Sequence, residues 1–103
     1  MIGLNRLEGF EWDEGNIHKS WKTHEVTNFE AEQIFFNEPL IITDDEKHST
    51  DTEKRYSALG KTDNERNLTV IFTLKENFIR IISARDMSKK ERNTYNEEVK
   101  KNT

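Results

Sequence analysis

"LTVIFTLKENFIRIISARDMSKKERNTY", residues 68–95, is the stretch whose reading decides the fold. Leu68, Val70, Phe72 and Leu74 alternate with Thr69, Ile71 and Thr73, the period-two pattern of a strand with one face buried. Phe78 to Arg85 is a second and stronger strand candidate. Only Lys75-Glu76-Asn77 separates the two, which predicts an antiparallel hairpin. Ser88-Lys89-Lys90-Glu91 then carries the Ser and Glu of a capping box, so a helix begins at once. Tyr95 and Val99, four residues apart, share one face of it. Two arginines mark the second strand, Arg80 inside it and Arg85 at its end. Strict alternation puts Phe78, Arg80, Ile82 and Ala84 on one face, and Ile79, Ile81, Ser83 and Arg85 on the other.

Working outward, Lys54 to Leu59 is a weaker strand candidate, and Leu40 to Thr43 is a short, β-branched one. The polar loop "DDEKHSTD", Asp44 to Asp51, lies between them. Thr27-Asn28-Phe29-Glu30 is another capping box, and the helix it opens runs through Phe36 with Ala31, Ile34 and Phe35 facing the core. Asn37, Glu38 and Pro39 end it, because the residue before proline avoids the α region. Asp13 suits the N-cap of a first helix over about 14–23, with Ile17 and Trp21 on its apolar face. Phe10-Glu11-Trp12 reads as a first strand. The order β-α-α-β-β-β-β-α predicts an α+β fold. It would be an antiparallel sheet of about four to five strands with two N-terminal helices and one C-terminal helix. A chain of 103 residues reads as one domain, with residues 1–9 and 100–103 frayed.

Charged residues make up 35% and hydrophobic ones 32%, so the core is small. Leu, Ile, Val and Phe together number 24, just above the level at which so charged a chain is expected to stay unfolded. With no cysteine, disulfides and thiolate metal sites are excluded, and a reducing compartment fits. No apolar run suits a signal peptide or a membrane span, so a cytoplasmic protein is expected. The net charge of −4 argues against nonspecific nucleic-acid binding. That total hides an asymmetry, because residues 1–74 carry net −7 and residues 75–103 net +3. A basic face on an acidic body is one reading, and a solvated C-terminal helix is the other. No metal site or cofactor is expected. The Asp44, Asp45, His48, Asp51 loop lacks the Gly and terminal Glu of an EF-hand, and there is no Gly-rich phosphate loop.

Four groups of residues, in this order and spacing, resemble the BrnT family of type II toxins. They are Phe10-Glu11-Trp12-Asp13; His24-Glu25-Val26 with Phe29-Glu30-Ala31; Arg55 and Arg66; and Ile79 to Arg85 with Glu91-Arg92 and Tyr95. The resemblance spans about Phe10 to Glu98. It implies a RelE-like fold, a ribonuclease that blocks translation, and a cognate BrnA antitoxin. In that family the antitoxin covers the toxin and supplies a ribbon-helix-helix dimer that represses the operon, which implies a 2:2 complex touching operator DNA only through the antitoxin. The run Ser20-Trp21-Lys22-Thr23-His24-Glu25 departs from the family's Asn-x-x-Lys-His-Gly.

RNA carries its own nucleophile. A metal-free ribonuclease has to take the 2′-OH proton, stabilise the phosphorane and protonate the leaving 5′-oxygen. Arginine binds phosphate oxygens with a planar fork that stays charged, and histidine suits proton transfer near neutral pH. On this reading Arg80, Arg55 and Arg66 line a phosphate-binding face, with Arg85 and Arg92 at its edge. His24 or Lys22 transfers protons, and Tyr95 stacks on or hydrogen-bonds RNA. The bland readings are a paired structural arginine, solvated surface cations, a capping histidine and a core tyrosine. Two further function classes compete with the enzyme: a catalytically inactive binding module of the same fold that acts as partner or corepressor, and a small regulatory domain that binds protein only.

Overall fold

The computed structural model describes residues 7–101, without the side chains of residues 14–18. The chain runs β1 (Gly9–Trp12), α1 (Glu14–His24), α2 (Asn28–Gln33), a 3-10 turn (Ile34–Phe36), β2 (Ile41–Asp44), β3 (Arg55–Lys61), β4 (Asn67–Lys75), β5 (Phe78–Asp86) and α3 (Lys89–Lys101). The element order is the one read from the sequence. Both capping boxes form. Thr27 and Glu30 exchange side-chain and backbone bonds at α2. Ser88 Oγ accepts from the Glu91 N–H, and Glu91 Oε1 from the Ser88 N–H, at α3. Gly9 and Lys101, expected to fray, belong to β1 and α3.

The sheet order is β1-β5-β4-β3-β2. Strands β2 to β5 form an antiparallel meander. β1 pairs with β5 in parallel, so the five-stranded sheet is mostly antiparallel. Two helices and three strands separate β1 from β5, so no tight turn dictates their relative direction. Val26, Ala31, Ile34, Ala58, Leu68, Val70, Phe72, Ile79, Ile81 and Ala84 form the main core beneath the N-terminal helices. Gly60 of β3 allows this close packing, since a Cβ there would lie 2.9 Å from that of Ile34. Leu59, Met87 and Tyr95, with Ile41 and Val99, form a smaller core where α3 lies on the opposite face.

Two details differ from strict periodicity. Ile71 pairs with Ser83 but Phe72 pairs with Ile81, which leaves Ile82 as an extra residue in β5. Such a bulge reverses face parity beyond it. Arg80 and Arg85 therefore share one face, with Phe78 and Ser83, while Ile79, Ile81 and Ala84 face the main core. The second correction concerns α1. Trp21, assigned to its apolar face, is 56% exposed, and the Ile17 side chain lies outside the described residues. Buried Ser20 faces the sheet instead and accepts the Ala84 N–H at 3.1 Å. Ala84 lies beyond the reach of β1, so its N–H needs an acceptor from another element.

Helix α1 ends with Glu25 in the left-handed region, φ 54°, its N–H donating to the Trp21 carbonyl at 2.9 Å. This is the αL cap at which glycine is favoured, because a Cβ is strained there. Glu25→Gly is expected to stabilise the fold by about 0.5–1 kcal/mol, read as a rise in Tm of a few degrees. A fall in Tm would mean that the Glu25 side chain makes a contribution that the cap geometry does not reveal.

Candidate nucleic-acid interface

Strand register assigns the side chains of the second sheet face. Glu11, Arg80, Thr73 and Arg55 form one row across β1, β5, β4 and β3. Ser83, Ile71, Ser57 and Thr43 form the next. Arg85, Thr69, Leu59 and Ile41 form the third, at the end that α3 covers. Two of the three rows are therefore not covered by α3, and they carry two arginines, four hydroxyls and a carboxylate. Neighbouring strands lie about 4.8 Å apart, so Arg80 and Arg55 stand roughly 10 Å apart with Thr73 between them.

Arg80 is half-buried. Among the described arginines its side chain alone has no hydrogen bond or ion pair to another described residue. With Lys54, Tyr56, Thr73 and Lys75 it lines a shallow cleft of about 340 Å³. Arg55 holds Glu53 through Nε at 2.9 Å. Lys54 lies over the Tyr56 ring at 5.5 Å and pairs with Asp44 at 3.5 Å. The Thr73 hydroxyl donates to the Lys54 carbonyl at 2.7 Å, which ties the loop before β3 to the floor of the cleft. A guanidinium held partly out of water, with no ion pair to a described residue, is free to take an anion.

Arg85 and Tyr95 have partners. Arg85 makes a fork to both Glu91 oxygens, at 2.7 and 3.0 Å. Arg85 is the main reason the Glu91 carboxyl is held down at about 2; burial opposes it, and the Ser88 N–H and Thr69 hydroxyl add to it. Tyr95 is 2% exposed, and its hydroxyl donates to the Pro39 carbonyl at 2.7 Å. Its ring has no free face for a base, and burial raises its phenol. The core reading of Tyr95 replaces the RNA-stacking one.

Arg66 sits at the opposite end of the sheet from Arg80. Its Nε donates to Asp86, Nη1 to the Glu25 carbonyl and Glu30, and Nη2 to the His24 carbonyl and Asp86, all within 3.2 Å. Every donor of the guanidinium is used, so none remains for a phosphate. Arg66 clamps the α1–α2 junction to the end of β5. It lowers the Asp86 carboxyl through its hydrogen bond and charge, with smaller help from His24 and Arg92. Burial would raise the Glu30 carboxyl, but the Thr27 N–H, Arg66 and the Thr27 hydroxyl together hold it down. His24 and Lys22 are exposed at the end of α1, and exposed Arg92 reaches the Met87 carbonyl at 3.4 Å. The predicted residues thus separate into a pair in one row of the open face, Arg55 and Arg80, and a corner group of His24, Arg66 and Arg92. About 20 Å of strand lies between them. Sequence reasoning missed Glu11, Ser57, Ser83 and Lys54 as site residues; only inter-strand register and the cleft expose them.

A family model described as the ribonuclease toxin BrnT of type II toxin–antitoxin systems matches residues 12–91. The crystal structure of the Brucella abortus ribonuclease toxin BrnT is similar in fold, with a TM-score of 0.58 at 19% identity. The match covers 79% of this chain and 97% of that one. No curated protein matches the sequence.

Two stability predictions follow from these ion pairs. Arg66→Ala is expected to cost about 1–3 kcal/mol, since it strands two carboxylates and two carbonyls, while Arg80→Ala costs under about 0.5 kcal/mol. Equal losses in urea unfolding would contradict the division into clamp and cleft. Glu91 has a folded pKa of about 2 against an ordinary 4.5. Its contribution, on the order of 2 kcal/mol, is full above about pH 4.5 and lost as pH falls toward about 2. Glu91→Gln should be less stable at neutral pH, with a flatter acid limb in thermal unfolding. Parallel limbs in parent and variant would reject the assignment.

Proposed function

Because the chain belongs to the BrnT family of ribonuclease toxins of type II toxin–antitoxin systems, we propose that it is an endoribonuclease that cleaves RNA on the open sheet face, without a metal ion, and so inhibits translation. The observation that carries this is Arg80, a half-buried guanidinium with no described partner, in a cleft with Lys54 and Lys75. A phosphodiester placed there would meet cations on both sides, and fixed cations stabilise the charge that grows on a phosphorane. Arg80 and Arg55 would bind the scissile phosphate. Arg66 would act as a positioning residue through its clamp. Lys22, His24, Arg85 and Arg92 would contact flanking phosphates at the far end.

The partner would be a BrnA-like antitoxin with a ribbon-helix-helix domain in a 2:2 complex, meeting operator DNA for the pair. Exposed Trp21, Phe29 and Phe36 are the kind of apolar surface that a protein partner covers. An acidic antitoxin segment lying over Arg80 and Arg55 would inhibit by replacing phosphate, and that part of the binding would weaken with salt. One observation favours a second reading, a catalytically inactive binding module: neither His24 nor Lys22 stands beside Arg80.

The test is cleavage of bulk RNA by the purified protein in excess EDTA, with and without ribosomes. The parent should cleave, and Arg80→Ala should lose about 10²–10³-fold in rate with its Tm unchanged. Equal cleavage by both would remove Arg80 from the site. RNA binding that weakens with salt, without cleavage in either condition, would favour the binding module.

A further inference from the structure

We infer that Glu11 is the general base of the cleavage reaction, an assignment that rests on the ribonuclease reading above. Glu11 lies directly opposite Arg80 in the parallel β1–β5 register. Its side chain points to the open face because its neighbours are held on the other one. Phe10 packs on the Phe35 ring with centroids 5.5 Å apart, and Trp12 Nε1 donates to Glu32 at 2.7 Å. β1 is thus pinned from the helix side, and alternation leaves Glu11 beside Arg80.

Two carboxylates beside the cleft are occupied. Glu53 is held by Arg55 and Asp44 by Lys54. Glu11 is half-buried and pairs with no described residue. Although the backbones at Glu11 and Arg80 are adjacent, their side chains close no ion pair. A carboxylate and a guanidinium side by side in register, neither paired with a described residue, suit a group that presents a proton to one and an anionic oxygen to the other. A ribose 2′-OH beside its own 3′-phosphate does both.

The chemistry balances as a transesterification. Glu11 takes the 2′-OH proton as the 2′-oxygen bonds to phosphorus. The P–O5′ bond breaks, and its electron pair leaves with the 5′-oxygen, which takes a proton from water. Arg80 and Arg55 hold the charge on the non-bridging oxygens. The products are a 2′,3′-cyclic phosphate and a free 5′-OH, and Glu11 returns its proton to solvent. A carboxylate in this role explains how the face can act with His24 at the far corner.

The experiment compares parent, Glu11→Gln, Glu11→Asp and Arg80→Ala for RNA cleavage in EDTA, with and without ribosomes. It also measures each protein's affinity for a 2′-deoxy oligonucleotide that cannot be cleaved. Glu11→Gln should lower kcat by about 10²–10⁴-fold with KM little changed. Its Tm should be that of the parent, and its oligonucleotide binding equal or tighter, because a negative charge beside phosphate has been removed. Glu11→Asp should keep part of the rate. Arg80→Ala should lose binding as well as rate. Glu11→Gln at the parental rate, while Arg80→Ala is inactive, would overturn the assignment and leave the ribonuclease reading standing. So would loss of oligonucleotide binding by Glu11→Gln, which would mark Glu11 as structural. A parent silent in both conditions would overturn the ribonuclease reading and the base together.

Discussion

Ile82 is the extra residue of β5, and the working face of the sheet depends on it. Without the bulge, Arg80 and Arg85 would point to opposite sides, and one of them would meet the main core. With it, the residues that face the N-terminal helices are apolar along β5 up to Ala84, while both arginines and Ser83 emerge on the other side. The inserted residue costs local ladder pairing. It separates the apolar and cationic requirements of one short strand, which strict alternation could not do for this order of residues.

The arginines then divide by what surrounds them. Arg66 and Arg85 have carboxylates fixed by elements that must form for the fold to exist, the capping-box glutamates of α2 and α3 among them. Glu30 and Glu91 each cap a helix and hold a guanidinium, so helix entry and sheet end are locked by the same side chain. Charge-assisted forks of this kind are among the stronger polar contacts in a small domain. They matter in a chain whose apolar core is modest. Arg80 sits on the same sheet with no such pair to a described residue, which sets it apart from the cations used in folding.

β1 has a part out of proportion to its four residues. It lies parallel on the edge of β5 and is pinned by aromatic packing and the Trp12–Glu32 hydrogen bond. It presents one carboxylate to the open face. Beyond its end, α1 takes over the β5 edge, with the Ser20 hydroxyl supplying the acceptor that a strand would have supplied. A serine at this point keeps the hydrogen bond and lets the helix approach closely. The edge of the sheet is therefore covered by two different devices in succession.

The order and type of the elements were legible in the sequence, because period-two alternation and two Ser/Thr-x-x-Glu boxes are local signals that need only neighbouring residues. So were the hairpin, the burial of Ala31 and Ile34, and the family resemblance. The site was legible only in its residue types. That Arg80 pairs with no described residue, that Arg66 is a clamp, that Tyr95 is core and that Glu11 stands beside Arg80 all depend on elements far away in sequence. The bulge at Ile82 and the parallel direction of β1 are settled by the packing of whole strands, since no local rule ranks one register over another until both faces are buried or solvated. The sequence determined what could fold; the sheet register decided which charges stand side by side on the open face.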